Sequence, residues 1–345
     1  MSLARDIADL GAVTTRLDTV GASSGALSNR NLVINGAMMV AQRATSVSSQ
    51  TGSGYKTIDR IYTNASGSTY NQSQQTVTLG GETGLPTEFT KFLRHDVTTS
   101  NDNAHFYHMV EDVSSVPEGT VTLSFYAKGT TPTGGLSFRA YQNFGTGGSP
   151  SGEVTITISD TVTLTSTWQR FSVNITVPSI TGKTLGTDGN HKFYFGIGQF
   201  ANTSTNAYQL DITGVQLEVG DTATDFEHRT FGDELARCER YLFRTYEYGT
   251  TAGTAGRTSC IGRYVDGTQN YAAVQVPHNK MRAVPTVVVY STSDGATGNL
   301  ESDGGNKAVA TQNIGSSAGG FINVNNSSVS TSQGIRCHVT LDAEL

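Results

Sequence analysis

The chain has 345 residues, of which 15% are charged and 36% hydrophobic, with 39 glycines and a formal net charge of -6 at pH 7. That length favours two domains, and the glycine-rich, weakly charged composition favours short strands joined by many turns, so we predict an all-β protein. The acidic balance argues against a nucleic-acid partner, and no apolar run approaches the ~20 residues that membrane insertion needs.

The N-terminal 30 residues predict a short helix, Ser2 to Val20, followed by a Ser/Gly-rich linker. Its apolar positions have the spacing of a coiled coil: Leu3, Ile7, Leu10 and Leu17. Two interpretations stay open: a helix packed on its own domain, or a stem that joins copies of the chain or docks onto a larger assembly. Because no secretory signal is visible, we expect synthesis in the cytoplasm.

Residues 31–229 are predicted to form a β-sandwich of the jelly-roll type. Four segments alternate apolar and polar side chains: Val121–Lys128, Leu136–Tyr141, Arg170–Val177 and Lys192–Ile197. Such faces need a second layer to cover them. In the closing strand, which starts at Tyr208, the apolar parity changes at Gly214, and this predicts a β-bulge there.

Residues 230–345 are predicted to form a second, smaller β domain. A helix over Phe231–Phe243 opens it, with Leu235, Cys238 and Leu242 on one stripe. The predicted strands are Thr258–Val265, Tyr271–Val276, Pro285–Tyr290, Phe321–Val324 and Ile335–Leu341. The glycine-rich stretches Ser293–Asn306 and Gly315–Gly320 are predicted to be mobile loops. The three cysteines lack metal-like spacing and are expected to be buried free thiols.

Several segments resemble bacteriophage tail fibre proteins. At the domain junction they are Gly214–Gly220, Asp225–Arg229 and Glu234–Tyr241; elsewhere they are Asn31–Arg43, Tyr55–Tyr62, Met281–Thr286 and Asp342–Leu345. The resemblance implies a virion tail appendage with a carbohydrate-binding-module-like jelly roll. It further implies a homotrimer that joins other tail or baseplate proteins through its N-terminal segment and attaches to a host-surface glycan. Two alternatives stay open: a head fibre or capsid decoration protein, and a polysaccharide-degrading tailspike.

Enzymatic motifs are missing from the sequence. Glycoside hydrolysis needs two carboxyl groups held in a groove, whereas the acidic residues mostly fall in turns, as Asp102, Asp188 and Asp294 do, or on polar strand faces. No Gly-x-Ser-x-Gly elbow precedes a helix. We therefore predict a protein that is not an enzyme.

Metal sites receive little support. His105 and His108 lie three apart in a predicted strand, so they face opposite ways and cannot chelate one ion. We expect His105 and His108 to lie on the surface or at its rim. Whether His95 approaches one of them from a neighbouring strand stays open. Asp211 resembles a position where related carbohydrate-binding jelly rolls hold a structural calcium. We expect no cofactor other than that calcium.

Tyrosines give the strongest binding signal. Tyr126, Tyr141 and Tyr194 lie opposite the apolar parity of three strands, and Arg139 shares that polar face. Aromatic rings with nearby hydrogen-bonding groups suit a sugar, so these four residues are the candidate carbohydrate site. The alternative is that they pack under loops or against a neighbouring subunit. Trp168 is expected to be mostly buried.

Overall fold

The computed structural model describes residues 29–78, 80–100, 102–200, 207–265, 271–303, 305–325 and 333–345. These residues divide into two compact units. The first unit contains the described residues up to Met38, with Ser48–Gly54 and Ile61–Arg229, and the second contains Met39–Val47, Tyr55–Arg60 and Thr230–Leu345. The predicted stem residues Leu3, Ile7, Leu10 and Leu17 lie outside the described residues. The predicted all-β class is confirmed.

Two six-stranded sheets make up most of the first unit. The first sheet has the order β1 (Ser46–Gln50), β4 (Thr69–Thr76), β5 (Lys91–Thr99), β12 (Tyr208–Val219), β7 (Gly119–Gly129) and β10 (Gln169–Val177). The second has the order β2 (Gly54–Tyr55), β3 (Ile61–Ala65), β6 (Ala104–Glu111), β11 (Lys192–Gln199), β8 (Leu136–Asn143) and β9 (Val154–Val162). A single 3-10 turn, Val113–Ser115, follows β6.

The two sheets pack face to face, as the alternating apolar pattern predicts. The rings of Phe125 on β7 and Phe138 on β8 lie 5.8 Å apart between centroids, and both are buried. Burying a side chain of this size stabilises the fold by roughly 1.5–3 kcal/mol. A buried polar pair also joins the two layers, since Gln72 on β4 donates to Thr63 on β3 at 2.8 Å. The predicted β-sandwich is confirmed.

The predicted bulge in β12 is confirmed. The register of β12 against β7 shifts between Thr213 and Gln216. Gly214 has a φ of +63°, and a Cβ there would lie 2.7 Å from the ring of Phe89. A residue with a side chain would therefore strain both the backbone and the packing. The inserted residue lets Leu217 face the core like Ile212 does before the bulge.

Five polar residues fasten both ends of the first unit to β12; we call them the clasp: Asn31, Gln216, Glu218, Glu227 and Arg229. The Gln216 amide oxygen accepts from the Glu227 backbone N–H at 2.8 Å. The Glu227 carboxylate accepts from the backbone N–H of Asn31 at 2.8 Å. The Arg229 guanidinium donates to the carbonyl of Asn31 at 2.6 Å.

Asn31 is the centre of the clasp. Its side-chain oxygen accepts from the backbone N–H of Val33 at 2.9 Å and of Leu217 at 3.2 Å, and its amide donates to the carbonyl of Val215 at 3.2 Å. Asn31 therefore helps to close the sandwich, because its side chain satisfies buried backbone groups of Val33, Val215 and Leu217.

The second unit is built around β20 (Gln333–Asp342). Its eight-stranded sheet has the order β13 (Leu242–Arg244), β20, β17 (Asn299–Ser302), β18 (Gly305–Ile314), β19 (Gly320–Asn325) and β15 (Tyr271–Val276), while β14 (Ile261–Val265) and β16 (Thr286–Ser291) also pair with β20. The core holds buried Val339, Leu341 and Met281. The cysteines are free, and Cys238 and Cys337 are buried as predicted, whereas Cys260 is partly exposed.

Two predicted boundaries in the second unit are wrong. Helix α1 spans Phe231–Glu239 rather than Phe231–Phe243, and Leu242 leaves the helical stripe because it pairs with Asp342 in the sheet. The stretch Ser293–Asn306, predicted as a loop, contains β17 and the start of β18. Leu300 is fully buried there, and buried Glu301 bonds to Arg257 and Thr292, so these contacts hold a strand whose residues are mostly polar.

The predicted domain border differs from the observed units in one respect. Met39–Val47 and Tyr55–Arg60 belong to the second unit rather than to the first. Charge pairing explains this: buried Arg60 bonds to Glu344, and its guanidinium lies 3.5 Å from the ring centroid of Tyr241.

Asp59 is held beside Arg60 inside the same unit. Gln42 donates to its carboxylate from the backbone at 2.8 Å and from the side chain at 2.6 Å. Burial raises the pKa of Asp59 to about 6. Arg43 pairs with Asp342 at 2.7 Å.

Among the described residues, no helix has the length and apolar character to cross a membrane.

Candidate functional site

The outer face of the second sheet carries the candidate site. On β11, Phe193, Phe195 and Ile197 point into the core, which leaves Tyr194 and the two glycines that follow it on the outer face. Tyr141 on β8 is the direct cross-strand neighbour of Tyr194.

Three tyrosines meet on this face; we call Tyr107, Tyr141 and Tyr194 the tyrosine cluster. The rings of Tyr141 and Tyr194 are stacked, with centroids 4.5 Å apart and planes at 12°. The ring of Tyr107 on β6 stands edge-on to both, at 5.9 Å from Tyr141 and 5.1 Å from Tyr194. Offset-stacked and edge-to-face pairs are the preferred aromatic arrangements, so the cluster supports itself.

Glycines make room for the rings. Gly196 lies opposite Tyr107, and a Cβ at Gly196 would be 2.7 Å from the rings of both Tyr107 and Phe200. The ring of Phe200 in turn stacks on that of His105, with centroids 4.0 Å apart. The aromatic contacts therefore continue from the tyrosine cluster across β11 to Phe200, with Tyr141 and Phe200 buried at 8% and 7% exposure and Tyr107 and Tyr194 partly exposed. We call these rings the aromatic surface.

A groove of about 560 Å³ lies beside this aromatic surface; we call it the Arg139 groove. It is lined by Thr133, Gly134, Gly135, Ser137, Phe138, Arg139, Thr155, Thr157, Ile158, Gln199 and Phe200. Arg139 alone carries a charge among these lining residues, and its guanidinium lies 5.0 Å from the centroid of the Phe200 ring. The volume falls within the range of small-ligand sites.

The protonation states of the site follow from burial. Burial raises the pKa of Tyr194, and its hydrogen bond to Glu153 at 2.8 Å raises it further. Burial also raises the pKa of Tyr107, with a contribution from Tyr141. Burial lowers the pKa of His105 to about 4. At neutral pH the Tyr107 and Tyr194 phenols keep their protons and His105 is uncharged.

Tyr126 does not join the other predicted site residues. It lies on β7 in the first sheet, whereas Tyr141, Tyr194 and Arg139 lie in the second. Its ring contacts Phe89 at 5.3 Å between centroids. The predicted platform of three strands is therefore wrong for Tyr126, because the apolar parity identifies an outward side chain but not the sheet to which its strand belongs.

Tyr107 and Phe200 are the site residues that the sequence analysis missed. Tyr107 lies in the strand segment His105–Met109, where the outward parity could have identified it. Gly196 and Gly198 could have indicated a ring such as that of Phe200. Glycines at alternate positions on the outer face of a strand leave space for aromatic side chains of other segments.

Asp211 has a fixed cationic partner. Its buried carboxylate accepts two hydrogen bonds from Arg94, at 2.8 and 2.7 Å. This bidentate pair uses the oxygens that a calcium ion would need. Within the part of the chain that the structure describes, no three His, Cys, Asp or Glu side chains come together in a way that could hold a metal.

Three histidines of the first unit, His95, His105 and His108, are buried. His105 and His108 face opposite sides of β6, as predicted, because His108 pairs with inward-facing Phe195 and His105 with outward-facing Gly198. The expectation of surface or rim positions is wrong, since His95, His105 and His108 are at most 1% exposed. Trp168, at 3% exposure, is buried as predicted.

No protein-family model matches the chain, and no curated protein matches it. Solved structures similar to it include an enzymatically active domain of tailspike protein 4 from bacteriophage CBA120, with a TM-score of 0.31 and 13% identity over 55% of this chain and 21% of that one. The matched part is thus about a fifth of the tailspike chain.

Carbohydrate-binding modules are also among the similar structures. A family 30 module has a TM-score of 0.30 and 16% identity over 55% of this chain and 90% of the module. The xylan-binding domain CBM22-1 of Paenibacillus barcinonensis Xyn10C has a TM-score of 0.29 and 12% identity over 53% of this chain and all of the domain, 100%. Similarity at this level carries no argument about what this chain binds.

Proposed function

We propose that the first unit binds a saccharide on the outer face of its second sheet, and that the chain is a virion appendage that attaches to the host surface without enzymatic action. The observation that carries the binding proposal is the tyrosine cluster, continuous with the Arg139 groove. Ring faces and edges pack against the apolar faces of sugar rings, while hydroxyls and the guanidinium bond to sugar hydroxyls.

The proposed absence of catalysis rests on the lining of the groove. Glycoside hydrolysis uses two carboxyl groups on either side of the scissile bond. The described residues that line the Arg139 groove contribute hydroxyls, one amide and one guanidinium, and none of them is Asp or Glu. Incubation with host envelope polysaccharide tests this point: release of reducing sugar by the purified chain would contradict it.

The virion assignment rests on the sequence resemblance of the junction segments and the C-terminal segment to tail fibre proteins. In this proposal the chain is a homotrimer and its first 30 residues bind other tail or baseplate proteins. Weak contacts at each copy would add up, because tethering several sites raises avidity by about 10²-fold or more without new contacts. Immunogold labelling of virions should mark the tail, and labelling of the capsid would support a head fibre instead.

The binding proposal is tested by two matched tyrosine variants. Tyr194→Ala should weaken saccharide binding by roughly 5- to 30-fold, which corresponds to about 1–2 kcal/mol for a lost aromatic contact. Tyr126→Ala removes the same side chain from the other sheet and should leave the affinity unchanged. Titration of the full chain against saccharides identified on a glycan array measures both. An array without any bound saccharide, or equal losses in the two variants, would overturn the proposal.

A further inference from the structure

The Arg139 groove contains a positive charge that no acidic side chain pairs with among the described residues of the first unit. Among the described residues, Arg139 forms neither an ion pair nor a hydrogen bond, and its guanidinium contacts the Phe200 ring. Other arginines of the same unit differ: Arg94 is bidentate to Asp211, and Arg229 bonds to backbone carbonyls. Apart from the contact of its guanidinium with the Phe200 ring, Arg139 has no partner among the described residues, so its five N–H donors are available to a ligand.

The surroundings of Arg139 fix the kind of ligand that fits. Its guanidinium lies over Phe200, so the ring limits the positions that the charged head can take. The hydroxyls of Ser137, Thr155 and Thr157 line the same groove. Together these groups offer a bidentate donor, an apolar ring and several hydroxyls within a volume of about 560 Å³.

We infer that the Arg139 groove selects an anionic saccharide, one whose sugar ring packs by Phe200 while its carboxylate or phosphate accepts two hydrogen bonds from Arg139. This inference rests on the proposed function and specifies its ligand. A planar guanidinium matches both anions in fork geometry. The charge selectivity comes from the groove, whereas the tyrosine cluster supplies contacts that neutral and anionic sugars share.

Matched saccharide pairs test the charge selectivity. In the first pair, a uronic-acid oligosaccharide is compared with the same oligosaccharide after its carboxyl groups are reduced to alcohols. In the second, a phosphorylated oligosaccharide is compared with its dephosphorylated form. The full chain should bind the anionic member of at least one pair ten-fold or more tightly, and the pair that shows it identifies the anion. That preference should shrink as ionic strength rises.

Three arginine variants complete the test. Arg139→Gln should remove the preference for the anionic member and leave binding of the neutral member within about two-fold, since one charge-assisted contact accounts for the difference. Arg139→Lys should retain part of the preference because it keeps the charge but loses the fork. Arg170→Gln removes an equal charge from the first sheet, where Arg170 lies near Tyr126, and should leave the preference intact.

The outcomes separate the two proposals. Equal affinity of the full chain for both members of each pair, or an undiminished preference in Arg139→Gln, overturns the charge selectivity and leaves the proposed saccharide binding standing. The absence of binding to every saccharide overturns both. Circular dichroism of each variant establishes that the fold is retained, and Arg139→Lys provides a second comparison should Arg139→Gln not fold.

Discussion

Lowering the pH should destabilise the first unit through His95. This histidine is 0% exposed inside the sandwich, and neither ring nitrogen has a hydrogen-bond partner among the described residues. Its ring lies 5.2 Å from that of Tyr70 and 6.3 Å from that of Tyr208. Burial, with a smaller contribution from His105, lowers the pKa of His95 from 6.5 to about 3.

The sign and size of the effect follow from the difference in pKa between the two states. Between pH 6.5 and 3, His95 binds a proton in the unfolded chain but not in the folded one. The free energy of unfolding therefore does not depend on His95 protonation above pH 6.5, and it falls as the pH drops from 6.5 towards 3. Each pH unit in this window removes about 1.4 kcal/mol, and roughly 2 kcal/mol is therefore lost by pH 5.

His95→Leu isolates this contribution. Because leucine buries no polar atom, the variant should be about as stable as the parent chain at pH 7.5 and should lose about 2 kcal/mol less of its unfolding free energy between pH 7.5 and pH 5. Urea titration followed by fluorescence reports on the first unit alone, since Trp168 is the single tryptophan of the chain and lies in that unit.

The control variant is His228→Leu. His228→Leu removes a histidine from an exposed position beside Glu88 and should keep the pH sensitivity of the parent chain. If His95→Leu lost as much stability on acidification as the parent chain, then the uncharged buried state of His95 would not be the cause, and the reasoning would fail.

Three further substitutions test the packing and the polar network. Gly196→Ala should destabilise the first unit by about 1–3 kcal/mol, because the new Cβ would lie 2.7 Å from the Tyr107 ring; Gly152→Ala, where nothing lies within 4 Å, is the thermal-melting control. Asn31→Ala should cost about 1–3 kcal/mol by urea titration, since it leaves buried backbone groups of the clasp unpaired, and an unchanged midpoint would count against the clasp. Glu301→Gln should lower the melting temperature of the second unit in calorimetry, because it removes the charge that pairs with Arg257. The hydrogen bond from Arg257 lowers the pKa of Glu301, so the parent chain should lose stability as the pH falls below 4.5, the usual pKa of a glutamate.

The sandwich and its bulge could be predicted because both follow from side-chain parity. Alternation identified the inward faces of β7, β8, β10 and β11, and the change of parity at Gly214 identified the bulge. Local periodicity is sufficient there, since burial on one face determines which side chains must be apolar.

The remainder depended on contacts that periodicity does not contain. Parity placed Tyr126 on an outer face but could not assign it to a sheet, because some strands that are neighbours in the chain share a layer, as β8 and β9 do, whereas others lie in different layers, as β7 and β8 do. The membership of Tyr55–Arg60 in the second unit is set by ion pairing with residues near the C-terminus. Such pairings are visible only once the strands have been arranged in space.

The pairing of Arg60 with Glu344 has a consequence for biogenesis. The two residues are 284 positions apart, so at translation speeds of about 5–20 residues per second the ribosome needs roughly 15 to 60 s to deliver the acidic partner. During that interval the nascent chain holds an unmatched cation and its apolar neighbours. A release or frameshift that removes only the last few codons would therefore damage the second unit from both ends.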